Sequence, residues 1–159
     1  MIRPFMHAWL ESLQNSGFSQ WVVGSDSIWA YPMILTLHTV GLGIVVGSAA
    51  VLDLRLLGIG PGIPLQEMRR VLPLFWVGFC INLVSGLMLF ASEAADKAAQ
   101  PVFLVKLLLV AAGVVVTARL KNVAFDVGIP PAHVRTLAKV SLFVWAGAIV
   151  AGRLMAYLK

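Results

Sequence analysis

Acidic side chains, cysteines and catalytic signatures are all scarce in this chain, and each scarcity removes a class of function. Seven Asp and Glu stand against twelve Lys and Arg, and together they supply only 12% of the residues. So little charge cannot cover a soluble surface when 60% of the side chains are hydrophobic. A bilayer is needed to absorb the apolar excess. The single cysteine, Cys80, excludes an internal disulfide and any cysteine cluster for a metal. A nucleotide-binding glycine loop, a zinc-protease helix and a Gly-x-Ser-x-Gly elbow are all missing, which leaves kinase and hydrolase readings without support. The net charge of +5 does not point to nucleic acid either, because the basic residues sit at the ends of apolar runs, where membrane topology explains them. The N-terminus lacks the charged, apolar and small-residue blocks of a secretory signal, so it is expected to be retained and the first span to insert itself.

What is abundant is uncharged sequence of membrane-crossing length. No formal charge occurs between Asp26 and Asp53, and the first span is expected over about 29–54. Asp26 and Ser27 are candidate helix caps, and Pro32 falls in the first turn, where its missing N–H does no harm. The cluster from Gly58 to Pro64 ends that helix. Further spans are expected at about 70–92, 101–120 and 135–158, separated by the polar stretch Glu93 to Gln100 and by Gly128-Ile129-Pro130-Pro131. Residues 1–25 mix Phe5, Trp9, Leu10, Leu13, Phe18 and Trp21 with polar side chains and are too short to cross; an N-terminal amphipathic interfacial helix over Pro4 to Trp21 is expected. The predicted fold class is an all-α integral membrane protein, with a four-transmembrane-helix bundle in residues 26–159.

Arg55, Arg69, Arg70, Arg119, Lys121, Arg135 and Lys139 fall at one end of such a bundle. Cytoplasmic loops collect Lys and Arg, so that end is expected inside and both termini outside. His38 is the one histidine within a span and stands in the outer half. Ionisable groups at such depth face a bundle interior, and His38 shares its helical face with Ile34, Gly41, Val45 and Ser48. The bare position at Gly41 has room for a flat macrocycle or for a neighbouring helix. Neutral imidazole is a strong iron ligand, so one reading of His38 is axial ligation of haem; the other is a hydrogen bond to Asn82 or Ser85. Lys106 and Arg153 each lie about five residues from the outer end of their spans. At that depth they would hold an anionic group such as the haem propionates, or they would snorkel to the surface.

Met33, Met88 and Met155 are candidate thioether ligands in the same layer, with core packing as the alternative. Gly43 and Gly47 form a GxxxG, and Ala148 and Gly152 a small-xxx-small; both predict close helix contact within the protomer or in a homo-oligomer. Asp53 and Arg55 are expected to form a local ion pair or cap, with a proton relay as the alternative.

The histidine-bearing segment Leu37-His38-Thr39-Val40-Gly41, the third-span opening Phe103-Leu104-Val105-Lys106-Leu107-Leu108-Leu109-Val110, the Arg69-Arg70 pair and Ser85-Gly86-Leu87 carry a further likeness. Over about the last 130 residues the chain resembles a superfamily of small bacterial four-span membrane proteins that includes the CopD-like copper-resistance and HemJ-like protoporphyrinogen oxidase families. Its span pattern is closest to an uncharacterised branch. The resemblance implies a bacterial inner membrane protein with periplasmic termini. It assigns haem b to His38 and a functional role to Lys106. The chain departs from the oxidase pattern in Val115-Val116-Thr117-Ala118-Arg119, which lacks a further histidine, and it lacks the extra histidines and methionines of copper passage. The function expected is haem-b binding in electron transfer or porphyrin redox chemistry with a redox partner. The alternatives are copper or small-solute transport, and a non-catalytic assembly subunit; whether the chain is an enzyme stays open.

Overall fold

A computed structural model describes residues 2–123, 125, 130–155 and 157, with side chains from residue 7 onward except at 122 and 123. Among the described residues there are helices and no strands. In chain order they are α1 (Ile2–Gln14), α2 (Gly17–Gly24), α3 (Tyr31–Leu56), α4 (Val71–Ser92), α5 (Ala94–Ala99), α6 (Pro101–Val123) and α7 (Ala132–Leu154), with a 3-10 turn at Leu65–Arg70 leading into α4. Four helical stretches, Tyr31–Leu56, Leu65–Ser92, Pro101–Lys121 and Ala132–Leu154, are long and apolar enough to cross a membrane. The 26 residues of α3 cover about 39 Å, against a hydrocarbon core of about 30 Å.

Local chemistry sets the ends of these helices. Pro32 lies in the first turn of α3 and Pro101 opens α6, positions whose backbone N–H has no helical partner. At its other end α3 stops because Gly58 and Gly60 adopt φ of 96° and 72°, a region that side chains with a Cβ avoid. α7 begins at Ala132, three residues before the expected Arg135. The amides of Val134 and Arg135 already bond to the Pro131 carbonyl at 3.0 and 3.2 Å, so the diproline starts the helix directly.

The N-terminal segment forms two helices rather than the one expected. Ser16 breaks the run and caps α2, its hydroxyl accepting from the Ser19 amide at 3.3 Å. Ser19 is buried with its Oγ 2.9 Å from the Ala91 carbonyl, and Gln14 Oε1 accepts from the Ala95 amide at 2.8 Å. The segment is thereby fastened to α4 and α5, while Trp9 and Trp21 stay exposed as an interfacial face requires.

Within the bundle α3 packs on α4, α6 on α7, and α3 on α7. The interior has two apolar layers: Val45, Ala49, Phe75, Trp145 and Ala148 in the middle, and Leu52, Leu56, Leu65, Met68, Leu72, Leu120, Phe125, Val134 and Ala138 towards the end away from the termini. Glycines permit the close approaches. A Cβ at Gly78 would lie 2.6 Å from Ile44 Cγ2, and one at Gly113 2.7 Å from the Trp145 ring. Large apolar side chains also cover the outside, such as Phe143 at 79% and Leu108 at 62% exposure, as lipid-facing positions do.

The two small-residue pairs separate here. Ala148 is buried in the middle layer and Gly152 lies against Lys106, so this pair makes close contacts inside the protomer. A Cβ at Gly43 or Gly47 would have no neighbour within 4 Å and both face outward, so among the described residues they make no close helix contact within the protomer.

Candidate functional site

His38 projects from α3 towards α4 and is half-buried. Its Nδ1 lies 3.1 Å from the Asn82 carbonyl oxygen and 3.2 Å from Ser85 Oγ. The Asn82 amide returns a hydrogen bond to the His38 carbonyl at 2.8 Å, and Ser85 donates to the Ile81 carbonyl at 2.6 Å. A carbonyl oxygen only accepts, so Nδ1 carries the proton and Nε2 keeps its lone pair. Both polar partners foreseen from the sequence are therefore present, yet they occupy only one of the two ring nitrogens. Nε2 makes no hydrogen bond among the described residues.

The flank of the ring is kept open by Gly86, where a Cβ would come within 3.0 Å of His38 Cε1. In the sequence Gly86 counted only as part of the family likeness. Its i+4 spacing from Asn82 places it on the face that meets His38, and that was the signal available.

Two cavities meet at His38. One, of about 210 Å³, lies towards the termini and is lined by Tyr31, His38, Glu93, Lys97, Lys106 and Met155 among others. The second, of about 300 Å³, is an apolar cleft between α4 and α6, lined by Phe79, Asn82, Leu83, Gly86, Leu107 and Val110 with His38 and Lys106. Both share Phe90 and Phe103, whose rings stack at 5.2 Å across the gap between α4 and α6. Lys106 is half-buried, its Cε 3.7 Å from the Cβ position of Gly152, and it has no ion pair or hydrogen bond among the described residues. Glu93, the one carboxylate lining the cavities, is already paired with Lys97 at 3.5 Å.

Thus the structure brings His38 and Lys106 together, as the sequence predicted, but not the other two proposed binding residues. Arg153 is exposed; it donates to the Tyr157 hydroxyl at 3.0 Å and lies over that ring at 5.2 Å. One residue beyond Gly152, it is turned about 100° from the inward face, and Tyr157 at i+4 captures the guanidinium. Gly41 is buried where α3 crosses α4: a Cβ there would stand 2.8 Å from the Asn82 backbone nitrogen, so the bare position admits a helix and no macrocycle. Of the three methionines, Met155 alone lines either of these two cavities. No group of three His, Cys, Asp or Glu among the described residues is placed to hold a metal ion.

The expected ion pair at the other end of α3 does not form. Arg55 Nε donates to the Ile63 carbonyl at 2.5 Å, whereas Asp53 is 1% exposed and neither of its oxygens has a hydrogen-bond partner among the described residues. Two residues apart on a helix, the side chains diverge too far to meet.

Fold and site define an all-α, multi-pass membrane bundle of four helices with a histidine–lysine cleft near one end. No protein-family model, curated protein or solved structure matches the chain.

Proposed function

We propose that the chain binds haem b in the cleft between α4 and α6, with His38 Nε2 as axial ligand and Lys106 as partner of a propionate, and serves electron transfer or porphyrin redox chemistry. The observation that carries this reading is the ring anchored through Nδ1 to the Asn82 carbonyl at 3.1 Å while Nε2 stays free. Metal-binding histidines are held in this way, since the backbone bond fixes both tautomer and ring orientation.

The other donors fit the same group. Apolar walls from Phe79, Leu83, Leu107 and Val110 suit a macrocycle, and the polar side chains Tyr31, Lys97 and Lys106 gather at the end where carboxylates would emerge. Lys106 is a half-buried cation without an ion pair among the described residues, which favours a ligand carrying an anion. Haem, when bound, supplies one-electron chemistry tuned by its axial ligand and surroundings. Met155 is the residue of this chain that lines the cavity with a second soft donor. The distribution of Lys and Arg supports an outward-facing cleft, and the resemblance to small bacterial four-span proteins adds an inner membrane setting with that side periplasmic.

The test is the absorption spectrum of protein purified after expression with added haem. A Soret band is expected, and His38→Ala is expected to abolish it. Protein without the band, or with one copper bound per chain and no haem, sinks the reading in favour of a copper-handling or assembly role.

A further inference from the structure

Between the two apolar layers lies a polar one that nothing in the haem reading uses. Asp53 follows Ala49 by one turn of α3, Thr117 follows Gly113 by one turn of α6, and Ser141 precedes Trp145 by one turn of α7. Ala49, Gly113 and Trp145 belong to the middle packing, and Leu56, Leu120 and Ala138, three residues further on in each case, belong to the inner layer. Asp53, Thr117 and Ser141 therefore share one level, with exposures of 1%, 2% and 0%. The Ser141 hydroxyl lies beside the Asp53 carboxyl, close enough to act on its charge but outside hydrogen-bond geometry. Both carboxyl oxygens, both hydroxyls and Trp145 Nε1 are buried without a hydrogen-bond partner among the described residues.

Four orphaned polar atoms at one level, with Trp145 Nε1 one turn away, are far from the norm, because buried polar groups are nearly always paired. A buried carboxylate is the most expensive of them unless its charge is neutralised. Among the described residues no side chain makes a hydrogen bond or ion pair that would do this. α4 carries no charged residue, and Arg119, Lys121, His133, Arg135 and Lys139 on α6 and α7 are exposed. In the 3-10 turn Glu67 pairs with Arg70 at 3.1 Å, and Arg69 lies over the Phe125 ring. Ionisable residues placed so within a bundle mark ion or proton sites.

We propose that Asp53, Thr117 and Ser141 form a binding site for one small monovalent cation, a proton or a sodium ion, in the half of the bundle opposite the His38 cleft. The oxygens of Asp53 and Ser141, with that of Thr117 at the same level, supply hard donors. A proton closes the layer by turning the carboxyl into a donor to one hydroxyl. Sodium closes it through the oxygen lone pairs. The site lies about 22 Å from His38 along α3, fifteen residues at about 1.5 Å each, and one turn from the end of that helix.

Infrared spectroscopy of the full chain labelled with ¹³C-aspartate, at neutral pH, first in choline chloride and then in sodium chloride, tests this. Asp53→Asn, a neutral near-isostere, assigns the band. A protonated-carboxyl band that the variant lacks identifies the proton. A carboxylate band that shifts with sodium but not choline, and is lost in the variant, identifies sodium. Should Asp53→Asn fail to fold, Ser141→Ala and Thr117→Val are expected to shift the same band. An ionised Asp53 that ignores sodium overturns the site.

Discussion

The two halves of α3 treat a buried polar side chain in opposite ways. At His38 the neighbouring helix supplies a carbonyl and a hydroxyl within 3.2 Å, and the ring opens onto cavities. At Asp53 apolar layers close over the carboxyl on both sides, and among the described residues neither oxygen has a hydrogen-bond partner. The first environment is arranged around a group that still has a lone pair to offer; the second is packed for stability around a group that needs something added. Packing and binding should therefore be separable by mutation, the inner half governing stability and the outer half governing ligand retention.

The largest effect is expected from Trp145→Ala, which empties the contact with Phe75 (ring centroids 5.9 Å apart) and Gly113. A loss of about 3–5 kcal/mol is expected in denaturant unfolding in detergent, with the spectrum of folded protein unaltered. An equal loss of haem would show that the halves are not independent. Next, Gly86→Val should push the imidazole aside, since even a Cβ stands 3.0 Å from it. Retained haem should fall at least about tenfold, equivalent to about 1.4 kcal/mol, while unfolding changes by less than the Trp145 variant. Lys106→Ala should weaken haem retention more modestly and leave the Soret position unchanged, because in the proposed site the lysine meets a propionate and not the metal; a displaced band would contradict that role. The smallest effect is expected from Gly43→Ala, where nothing lies within 4 Å. Unfolding should move by no more than about 0.5 kcal/mol, and any larger loss that depends on protein concentration would reveal an oligomer contact on that face.

The spans were legible because a bilayer tolerates so little charge that uncharged runs of crossing length leave few other readings. Pro32, Pro101 and Gly58 marked helix ends through backbone restrictions that act within a turn. The break at Ser16 was harder to see, since α1 and α2 are separated only where Ser19 is held near the distant Ala91 carbonyl. His38 and Lys106 were found together because both lie at a similar depth, which residue counting gives. Arg153 was misplaced by the same counting, because depth does not reveal rotation about the helix axis. Gly41 and Gly86 exchanged roles for a similar reason: both are bare positions near His38, and only the crossing of α3 and α4 decides which is filled by backbone.

By itself, the sequence determined that the chain is a helical membrane protein of four spans, since hydrophobic length and charge placement act locally and need no partner. The tertiary structure alone decided which ring nitrogen of His38 is free, that Lys106 joins it while Arg153 does not, and that Asp53 is enclosed without its neighbour Arg55. Those outcomes depend on how helices far apart in sequence are rotated and pressed together, and side-chain direction at a crossing is set by the packing of both partners.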